Sequence, residues 1–392
     1  MVLDVSRLGP GPYATMLLAD FGARVIKVED AEHGDPTRQD YRISGTGAGH
    51  LVFNRNKESI GVNLKDPAGR EIFLKLAKTA DVILESFRPG VMDRLGIGYE
   101  HVRGVKPDIV YCAISGYGQD GPYRLRPGHD LNYISLAGVQ GIIGKPDGSP
   151  VIPGVQIADA SAGMLAALGV LLALRVKEQT GEGQFVDISL MDAAIQCLFE
   201  PLTKFVASGK SPLPGVERLS GGIPAYNIYR TRDGRSISLG ILEPHFWANL
   251  CRLVDREDLL DFPFVDGEEG SRVKAELAAI FANHTLEEWK AKLEETDICW
   301  APVNTFEEVV LDPQVRHRGI LSEESHPLAG KMIQLGTPIR LADTPGGVRK
   351  PAPAHGEQTL DILASLGYSE QAARELWARK VIFFIDQVPH KR

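Results

Sequence analysis

The chain has 392 residues, of which 43% are hydrophobic and 24% are charged, and its formal net charge is −8 at pH 7. This composition is typical of a folded globular protein, and the length predicts more than one domain. The negative charge argues against a nucleic-acid partner, because binding to a phosphate backbone requires a basic surface. The negative net charge is still compatible with a local basic pocket for a small phosphorylated ligand.

The four cysteines, Cys112, Cys197, Cys251 and Cys299, are far apart, and no histidine lies at metal-ligand spacing from them. This pattern predicts reduced thiols in an intracellular protein and no metal site. No charged segment followed by an apolar run opens the chain, and the longest apolar run, 164–174, is too short to span a bilayer. We therefore expect a protein of the cytoplasm or of an organelle matrix, without a membrane partner.

Short strands alternate with helices in the N-terminal part of the sequence. Strands are predicted at 2–6, 23–29, 82–85, 109–115 and 184–189, and helices at 13–21, 66–80, 160–177 and 192–207. A polar segment from 30 to 57 interrupts this order. The repetition predicts an α/β fold with a Rossmann-like, doubly wound parallel sheet.

The pattern changes after a segment rich in Gly, Pro and Ser. Residues 232–235 (RDGR) lie between two β-prone runs and predict a hairpin, and helices are expected at 244–255, 271–283 and 285–295. The predicted organisation is a large domain (1–207), a linker (208–221), a smaller α+β domain (222–325) and a C-terminal segment (326–392).

The segment from Gly9 to Ala14 matches a dinucleotide-binding fingerprint, and Glu29 ends the next strand. Pro10 and Pro12, however, remove two backbone N–H groups that a diphosphate would use. A tight strand-to-helix turn beside a ligand groove is therefore favoured over nicotinamide binding.

His129 and Asp159 are the strongest candidates for chemistry. A histidine has a pKa near neutrality, and a carboxylate at the start of a helix is favoured by the helix dipole, so the two could exchange protons with a substrate. Each also has an ordinary explanation, since Asp159 could cap the helix and His129 could be a solvated or core side chain. Glu243 ends a strand of the smaller domain and could orient His129, or it could be an ordinary acid at a helix start.

Basic residues recur along the edges of the predicted sheet at Lys57, Lys65, Arg88 and Arg94. Ligands of doubly wound sheets lie outside the carboxyl ends of the strands, where such cations could hold a phosphate-bearing ligand. The alternative is a set of solvated surface charges.

Several long stretches together resemble the class III CoA-transferase family of the CaiB/BaiF type, which also contains the α-methylacyl-CoA racemases. The matching stretches are 11–29, 54–70, 80–96, 111–123, 158–163 and 180–193. The resemblance implies an interlocked homodimer in which each chain has a Rossmann-like large domain and a small domain. It also implies that the C-terminal segment returns to the large domain.

The resemblance further implies that an acyl-CoA lies along the groove, against residues at matching positions. These are Leu8, Val62, Lys65, Ser86, Phe87 and Arg94, and Arg88 is a further candidate because of its charge. Phe87 would pack near the adenine, and Lys65 or Arg94 would hold phosphate. Many relatives have an arginine at the place of Asp30, so the sequence departs from the family there.

Two activities occur in this family. In the transferases, the aspartate matching Asp159 attacks the thioester and forms an anhydride, and some transferases close a glycine-rich lid for which Gly221-Gly222 is the nearest match here. In the racemases, that aspartate and the histidine of a GHDLNY motif are two acid/base groups. This sequence has GHDLNY at 128–133 with Asp130 beside the histidine, and Glu243 lies in a matching EPHFW segment.

We therefore expect a racemase that epimerises the α-carbon of a 2-methyl-branched acyl-CoA, with a CoA-transferase as the alternative. A non-catalytic acyl-CoA-binding protein is a third reading. Removing the α-proton requires stabilisation of the enolate oxygen, for which the N–H groups at the start of the helix after Asp159 are candidates. Neither reaction requires a metal or a redox cofactor, since coenzyme A enters with the substrate.

Overall fold

A computed structural model describes residues 1–385. The strands are β1 (Val2–Asp4), β2 (Val25–Glu29), β3 (Arg42–Ile43), β4 (Thr46–Gly47), β5 (Lys57–Val62), β6 (Val82–Glu85), β7 (Val110–Ser115), β8 (Phe185–Ser189), β9 (Tyr226–Arg230), β10 (Ser236–Gly240), β11 (Trp300–Pro302), β12 (Leu321–His326), β13 (Gly330–Leu335) and β14 (Ile382–Phe383).

The helices are α1 (Pro10–Asp20), α2 (Ala48–Phe53), α3 (Pro67–Ala77), α4 (Val91–Arg94), α5 (Tyr99–Arg103), α6 (Asp130–Leu136), α7 (Val139–Ile142), α8 (Ile157–Thr180), α9 (Leu190–Gln196), α10 (Phe199–Ser208), α11 (Pro244–Leu253), α12 (Gly267–Phe281), α13 (Leu286–Leu293), α14 (Phe306–Leu311), α15 (Pro313–Arg318), α16 (Thr359–Ser365) and α17 (Glu370–Ala378). Shorter helical turns lie at Pro36–Arg38, Arg218–Gly222 and Glu257–Leu259.

Seven strands form the main sheet in the order β14-β5-β2-β1-β6-β7-β8. All neighbouring strands are parallel except β14, which pairs antiparallel with β5. Apart from β14, the order runs outwards from β1 in both directions, as in a doubly wound sheet. The predicted α/β class with a parallel-dominated sheet is therefore confirmed.

Helices α1 and α8 pack closely against each other. A side chain added at Gly163 of α8 would place its Cβ 2.8 Å from Cδ1 of Tyr13 and 2.9 Å from the carbonyl oxygen of Pro10. Glycine is therefore required at this crossing. The contact fixes the start of α1 relative to α8, which carries Asp159.

Helix α8 is, by length and composition, apolar enough to cross a membrane, with a mean hydropathy of 2.0 over its most apolar window. The expectation based on the run 164–174 alone was therefore too strict, because the helix extends beyond that run at both ends. One such helix is weak evidence, since core helices of globular proteins pass the same test. The buried side chains of α8 include Ala162, Ala166, Ala167 and Val170, and the helix packs against α1, β7 and β8.

Strand β5 was not predicted, because its alternate side chains are polar. Lys57 and Ser59 are fully buried on this strand. The Lys57 ammonium lies 2.9 Å from Asp4 Oδ2, and the Lys27 ammonium lies 2.9 Å from Asp35 Oδ2. We call these four charged residues, Asp4, Lys27, Asp35 and Lys57, the buried ionic cluster. It joins β1, β2 and β5 beneath the turn that follows β1.

The described residues divide into two units. The first contains residues 1–137 and 155–197 and the chain from 314 onwards, and the second contains residues 138–154 and 198–313. In the second unit, β9, β10 and β11 form an antiparallel sheet, and the predicted hairpin is confirmed by the pairing of β9 with β10. Residues 386–392 of the predicted C-terminal segment lie outside the described residues.

Candidate active site

A cavity of about 570 Å³ opens at the carboxyl ends of β1, β6 and β7 in the first unit. His129, Tyr133 and Asp159 line it, together with the turns that follow the three strands. Open α/β sheets bind their ligands at such strand ends. The structure therefore brings the two predicted acid/base groups into one cavity.

His129 is the residue that precedes α6, and its backbone is held on both sides. Its N–H donates to Oδ1 of Asn132 at 3.1 Å, and its carbonyl oxygen accepts from the N–H of Asn132 at 2.8 Å. The imidazole is exposed and lines the cavity. The backbone of His129 is thus fixed, while its side chain faces the space that a substrate would occupy.

Tyr133 explains the two glycines near His129. Its hydroxyl donates to the carbonyl oxygen of Gly128, and its ring meets the ring of Tyr117 edge-on at 5.2 Å. A Cβ would lie 2.8 Å from Cε1 of Tyr133 at Gly128 and 2.6 Å from the same atom at Gly116. The glycines and the tyrosine of the GHDLNY region therefore form one packing unit that sets the start of α6.

Asp159 lies in the first turn of α8 and does not cap it. The helix begins at Ile157, and Gln156 occupies the cap position, so the capping interpretation was wrong. Burial raises the pKa of Asp159, and the negative charge of Asp130 adds to this, while His129 opposes it, giving a value of about 6. A carboxyl group with this pKa can both accept and return a proton near neutral pH.

The N–H groups expected to stabilise an enolate are already engaged. The N–H of Asp159 donates to Oδ1 of Asp130 at 3.1 Å, and the N–H of Ala160 donates to the carbonyl oxygen of Gln156 at 3.0 Å. This expectation is therefore wrong for this structure, because the Asp130 carboxylate and the first helical turn occupy both donors. Asp130 instead ties the start of α6 to the first turn of α8.

Replacing Asp159 by Asn should stabilise the protein at pH 8. The pKa of Asp159 is higher in the folded state than the ordinary value, so ionisation destabilises the fold above pH 6, and this effect is absent below about pH 4. After allowance for partial solvent exposure, we expect the unfolding free energy of D159N to exceed that of the parent by about 1–2 kcal/mol at pH 8. Urea unfolding at several pH values measures it.

Asp108 provides the matched control, because Lys106 and Lys177 lower the pKa of its carboxyl group to about 2. The Asp108→Asn variant should not be stabilised at pH 8. A D159N gain that stayed constant between pH 4 and pH 8 would contradict the assignment of a raised pKa to Asp159.

The predicted CoA-contacting residues divide between two cavities of the first unit. Leu8, Ser86 and Arg88 line the cavity that contains His129. Val62 and Lys65 line a second cavity of about 640 Å³. The two cavities are adjacent, because they share two lining residues.

Phe87 and Arg7 line both cavities. The guanidinium of Arg7 lies 4.8 Å from the centroid of the Phe87 ring. Arg94 is not among the lining residues of either cavity, although Val91 and Leu95 on either side of it line the second. Asp30 also lines the second cavity, and its Oδ1 accepts hydrogen bonds from the backbone N–H groups of Glu32 and His33.

Two sequence interpretations change in the structure. Lys57 cannot hold a ligand phosphate, because it is fully buried and donates to Asp4, Thr15 and Asn54. The dinucleotide fingerprint reflects tight packing, since a Cβ at Gly11 would lie 2.2 Å from Cβ of Ser6.

Glu29 also argues against a dinucleotide-binding site. Its carboxylate is buried and pairs with Arg38, with both hydrogen bonds at 2.7 Å, so it is occupied within the fold. A dinucleotide-binding site would instead need this carboxylate free for a ribose.

Glu243 belongs to the second unit, where it is the residue before α11. An interaction between Glu243 and His129 stays a prediction. Gly221 and Gly222 are explained by their own turn, because Gly221 has a φ of 94° and a Cβ at Gly222 would lie 2.1 Å from the carbonyl oxygen of Val216.

Sequence reasoning missed three arginines that line the active cavity, Arg7, Arg124 and Arg126. The available signal was the Arg-Leu-Arg triplet directly before the segment that contains His129. Residues 1–385 contain no group of three or more His, Cys, Asp or Glu side chains placed to hold a metal ion.

The family model, the similar sequences and the similar solved structures all indicate the same protein family. The family model described as CoA-transferase family III matches residues 1–359. Mouse succinyl-CoA:glutarate CoA-transferase is 33% identical over 389 residues, which cover 97% of this chain and 89% of that protein. Human alpha-methylacyl-CoA racemase is 34% identical over 393 residues, which cover 97% and 96%. A CAIB/BAIF family protein from Brucella suis superimposes with a TM-score of 0.82 at 29% identity, covering 93% and 97%.

Proposed function

Since the chain belongs to CoA-transferase family III, we propose that it epimerises the α-carbon of a 2-methyl-branched acyl-CoA. The observation that carries this proposal is the placement of His129 and Asp159 in one cavity. The relatives include both racemases and CoA-transferases at similar identity. The choice between the two reactions therefore rests on His129 and its surroundings.

The proposed reaction requires one base on each face of the α-carbon. One of His129 and Asp159 takes the α-proton, and the electron pair of the C–H bond moves into the enolate of the thioester. The other group then donates its proton to the opposite face, which re-forms the C–H bond with inverted configuration. Because the reaction is reversible, each group serves as base for one stereoisomer.

The cavity supplies charge for this reaction. Arg7, Arg88, Arg124 and Arg126 line it together with Asp159. A positive potential stabilises the negative charge that develops on the enolate oxygen. The raised pKa of Asp159, about 6, lets its carboxyl group both accept and return a proton near neutral pH.

We place the coenzyme A part of the substrate in the second cavity, where Val62 and Lys65 are found, with Phe87 at its junction with the first cavity. The cation–π contact between Arg7 and Phe87 at the junction of the two cavities supports this placement. The packing of Phe87 near the adenine stays a prediction. Lys65 is suited to a phosphate group. Arg94, at the edge of the second cavity, remains a proposed phosphate contact.

The alternative is a CoA-transferase in which Asp159 is the nucleophile. Its carboxylate would attack the thioester carbonyl and release CoA thiolate, forming an acyl anhydride on Asp159. The thiolate would return after a second carboxylate had exchanged into the anhydride. The transferases among the relatives favour this reading, whereas the presence of His129 beside Asp159 in the cavity favours the racemase.

We also propose a homodimer and a cytoplasmic location. Exposed apolar side chains support the dimer, since Met164, Leu168 and Leu172 of α8 are 50%, 51% and 60% exposed. Such a stripe on one helix is typical of an interface. The division into a large domain, a linker at 208–221, a small domain and a returning C-terminal segment also remains a proposal.

The test is to incubate a 2-methylacyl-CoA of known configuration with the protein in D₂O, without any added carboxylic acid. We expect deuterium to enter at the α-carbon and the chirality there to be lost. Mass spectrometry and proton NMR monitor the reaction. No deuterium incorporation, together with transfer of CoA to added carboxylates, would replace the racemase by the transferase.

A further inference from the structure

Four arginines line the cavity that contains His129 and Asp159, and their guanidinium groups have no acidic partner. Arg7, Arg88, Arg124 and Arg126 form no ion pair or hydrogen bond through their guanidiniums within residues 1–385. Arg55, by contrast, is buried and paired with Asp20 at 2.6 Å. The cavity thus has four guanidinium groups and one carboxyl group, that of Asp159, among its lining side chains.

The four arginines lie on two sides of the reacting groups. Arg7 and Arg88 follow β1 and β6, and Arg7 also lines the second cavity that we assign to coenzyme A. Arg124 and Arg126 lie on the segment between β7 and α6 that leads into His129, and they do not line the second cavity. The coenzyme A part of a ligand therefore accounts for Arg7, and Arg88 follows the same strand end as Phe87, which lines both cavities. Arg124 and Arg126 lie apart from this path, beside His129.

We propose that Arg124 and Arg126 form a carboxylate-binding subsite, so that the preferred acyl group is short and carries a carboxylate at its far end. Guanidinium groups bind carboxylates with strong, directional hydrogen bonds. This inference rests on the proposed function, because it assumes that the α-carbon lies between His129 and Asp159. It adds a substrate class, the monothioesters of dicarboxylic acids.

The short chain segment between Arg126 and His129 limits the length of the acyl group. Arg126 is three residues before His129, so their Cα atoms are at most about 11 Å apart. A long hydrocarbon chain would have to pass between two charged side chains that apolar contacts cannot solvate. A short chain ending in a carboxylate instead neutralises them.

The test compares two ligands that differ only in charge. One is 2-methylglutaryl-CoA with the thioester beside the methyl branch, and the other is the same compound with its free carboxylate converted to the amide. Calorimetric titration gives the affinity of each ligand for the full chain. We expect the carboxylate to bind about 10- to 100-fold more tightly than the amide, the range for a charge-assisted hydrogen bond.

The variant Arg124→Gln should reduce this preference at least several-fold, and Arg124→Gln with Arg126→Gln should remove it. Arg124→Lys should keep part of it, because the positive charge remains. The control is Arg103→Gln on α5, an arginine that lines none of the cavities described here, and it should leave the preference unchanged.

Equal affinity of the protein for the two ligands would overturn the inference. An equal loss of affinity for both ligands in Arg124→Gln would also overturn it, because the arginine would then be holding the coenzyme A part. The proposed function is tested separately by α-deuterium exchange in D₂O. A preference for the carboxylate ligand without α-deuterium exchange would contradict the racemase and support the subsite. Exchange without a preference for the carboxylate ligand would support the racemase and contradict the subsite.

Discussion

Racemisation should disappear when His129 is replaced by alanine, with a rate at least about 10²- to 10⁴-fold below that of the parent, the range for loss of a general acid or base. The same loss is expected for Asp159→Asn, because inversion needs both groups. The measurement is the change in configuration of a 2-methylacyl-CoA with time.

The two variants should differ in a second measurement. With His129 removed, the stereoisomer whose α-proton faces Asp159 can still lose this proton to Asp159 and regain a solvent deuteron from the same group. Deuterium then enters this stereoisomer slowly and without inversion, while the other stereoisomer stays unlabelled. The Asp159→Asn variant should show the opposite selectivity, because only His129 remains.

His101 on the exposed side of α5 provides a matched control. The His101→Ala variant should exchange and racemise at the parental rate. Exchange of both stereoisomers at the parental rate in His129→Ala would eliminate His129 as a base. Transfer of CoA to an added carboxylate by His129→Ala, without any exchange, would favour the mechanism in which Asp159 is the nucleophile.

Much of the site was accessible from the sequence because its residues are close together along the chain. The GHDLNY segment contains His129, its neighbour Asp130 and the tyrosine that sets the loop, and Asp159 lies in the first turn of the next long helix. The sheet was also predictable, since strands β1, β2, β6, β7 and β8 are apolar and separated by helix signals.

The features that sequence reasoning missed depend on long-range contacts. Strand β5 was hidden because Lys57 and Ser59 point into a buried polar environment, which breaks the usual apolar alternation. The capping role expected for Asp159 failed because the helix begins two residues earlier. The cavity-lining arginines were missed because Arg7 and Arg124 come together only when the strand ends meet.

The buried ionic cluster shows why such a strand is tolerated. Burial raises the pKa of the Asp4 carboxyl, but Lys27 and Lys57 outweigh this effect and hold it well below its usual range. Burial lowers the pKa of Lys57 to about 8, even though Asp4 opposes the shift. The Asp4 and Asp35 carboxylates therefore together keep the two buried ammonium groups charged near neutral pH.

Asp4 also reaches the active cavity through the backbone. Its Oδ1 accepts a hydrogen bond from the N–H of Ser6 at 3.0 Å, and Lys27 donates to the carbonyl oxygen of Ser6 at 3.0 Å. The next two residues, Arg7 and Leu8, line the cavity, and Leu8 has a φ of 64°, a left-handed conformation that is uncommon for leucine. The cluster thus holds a turn that the substrate would contact.

Replacing Asp4 by Asn should therefore cost about 3–5 kcal/mol of unfolding free energy at pH 7, because it removes the nearest carboxylate from the buried Lys57 ammonium and one of the counter-charges of Lys27. Urea unfolding measures this loss. The loss should shrink at pH 9, above the pKa of Lys57, where this side chain is neutral in the folded state. The surface pair of Glu323 with Lys331 gives the control, since Glu323→Gln should cost no more than about 1 kcal/mol.

A double variant separates the missing carboxylate from the stranded charge. If the uncompensated ammonium of Lys57 is the main cause of the loss, Asp4→Asn combined with Lys57→Met should be more stable than Asp4→Asn alone, although it contains one more substitution. The double variant could instead be less stable than Asp4→Asn by the full loss that Lys57→Met causes alone. That result would show that the two side chains contribute independently to the unfolding free energy. In that case the hydrogen bonds of Asp4 to Ser6 and Thr15 would hold the turn after β1, and the charge balance would not.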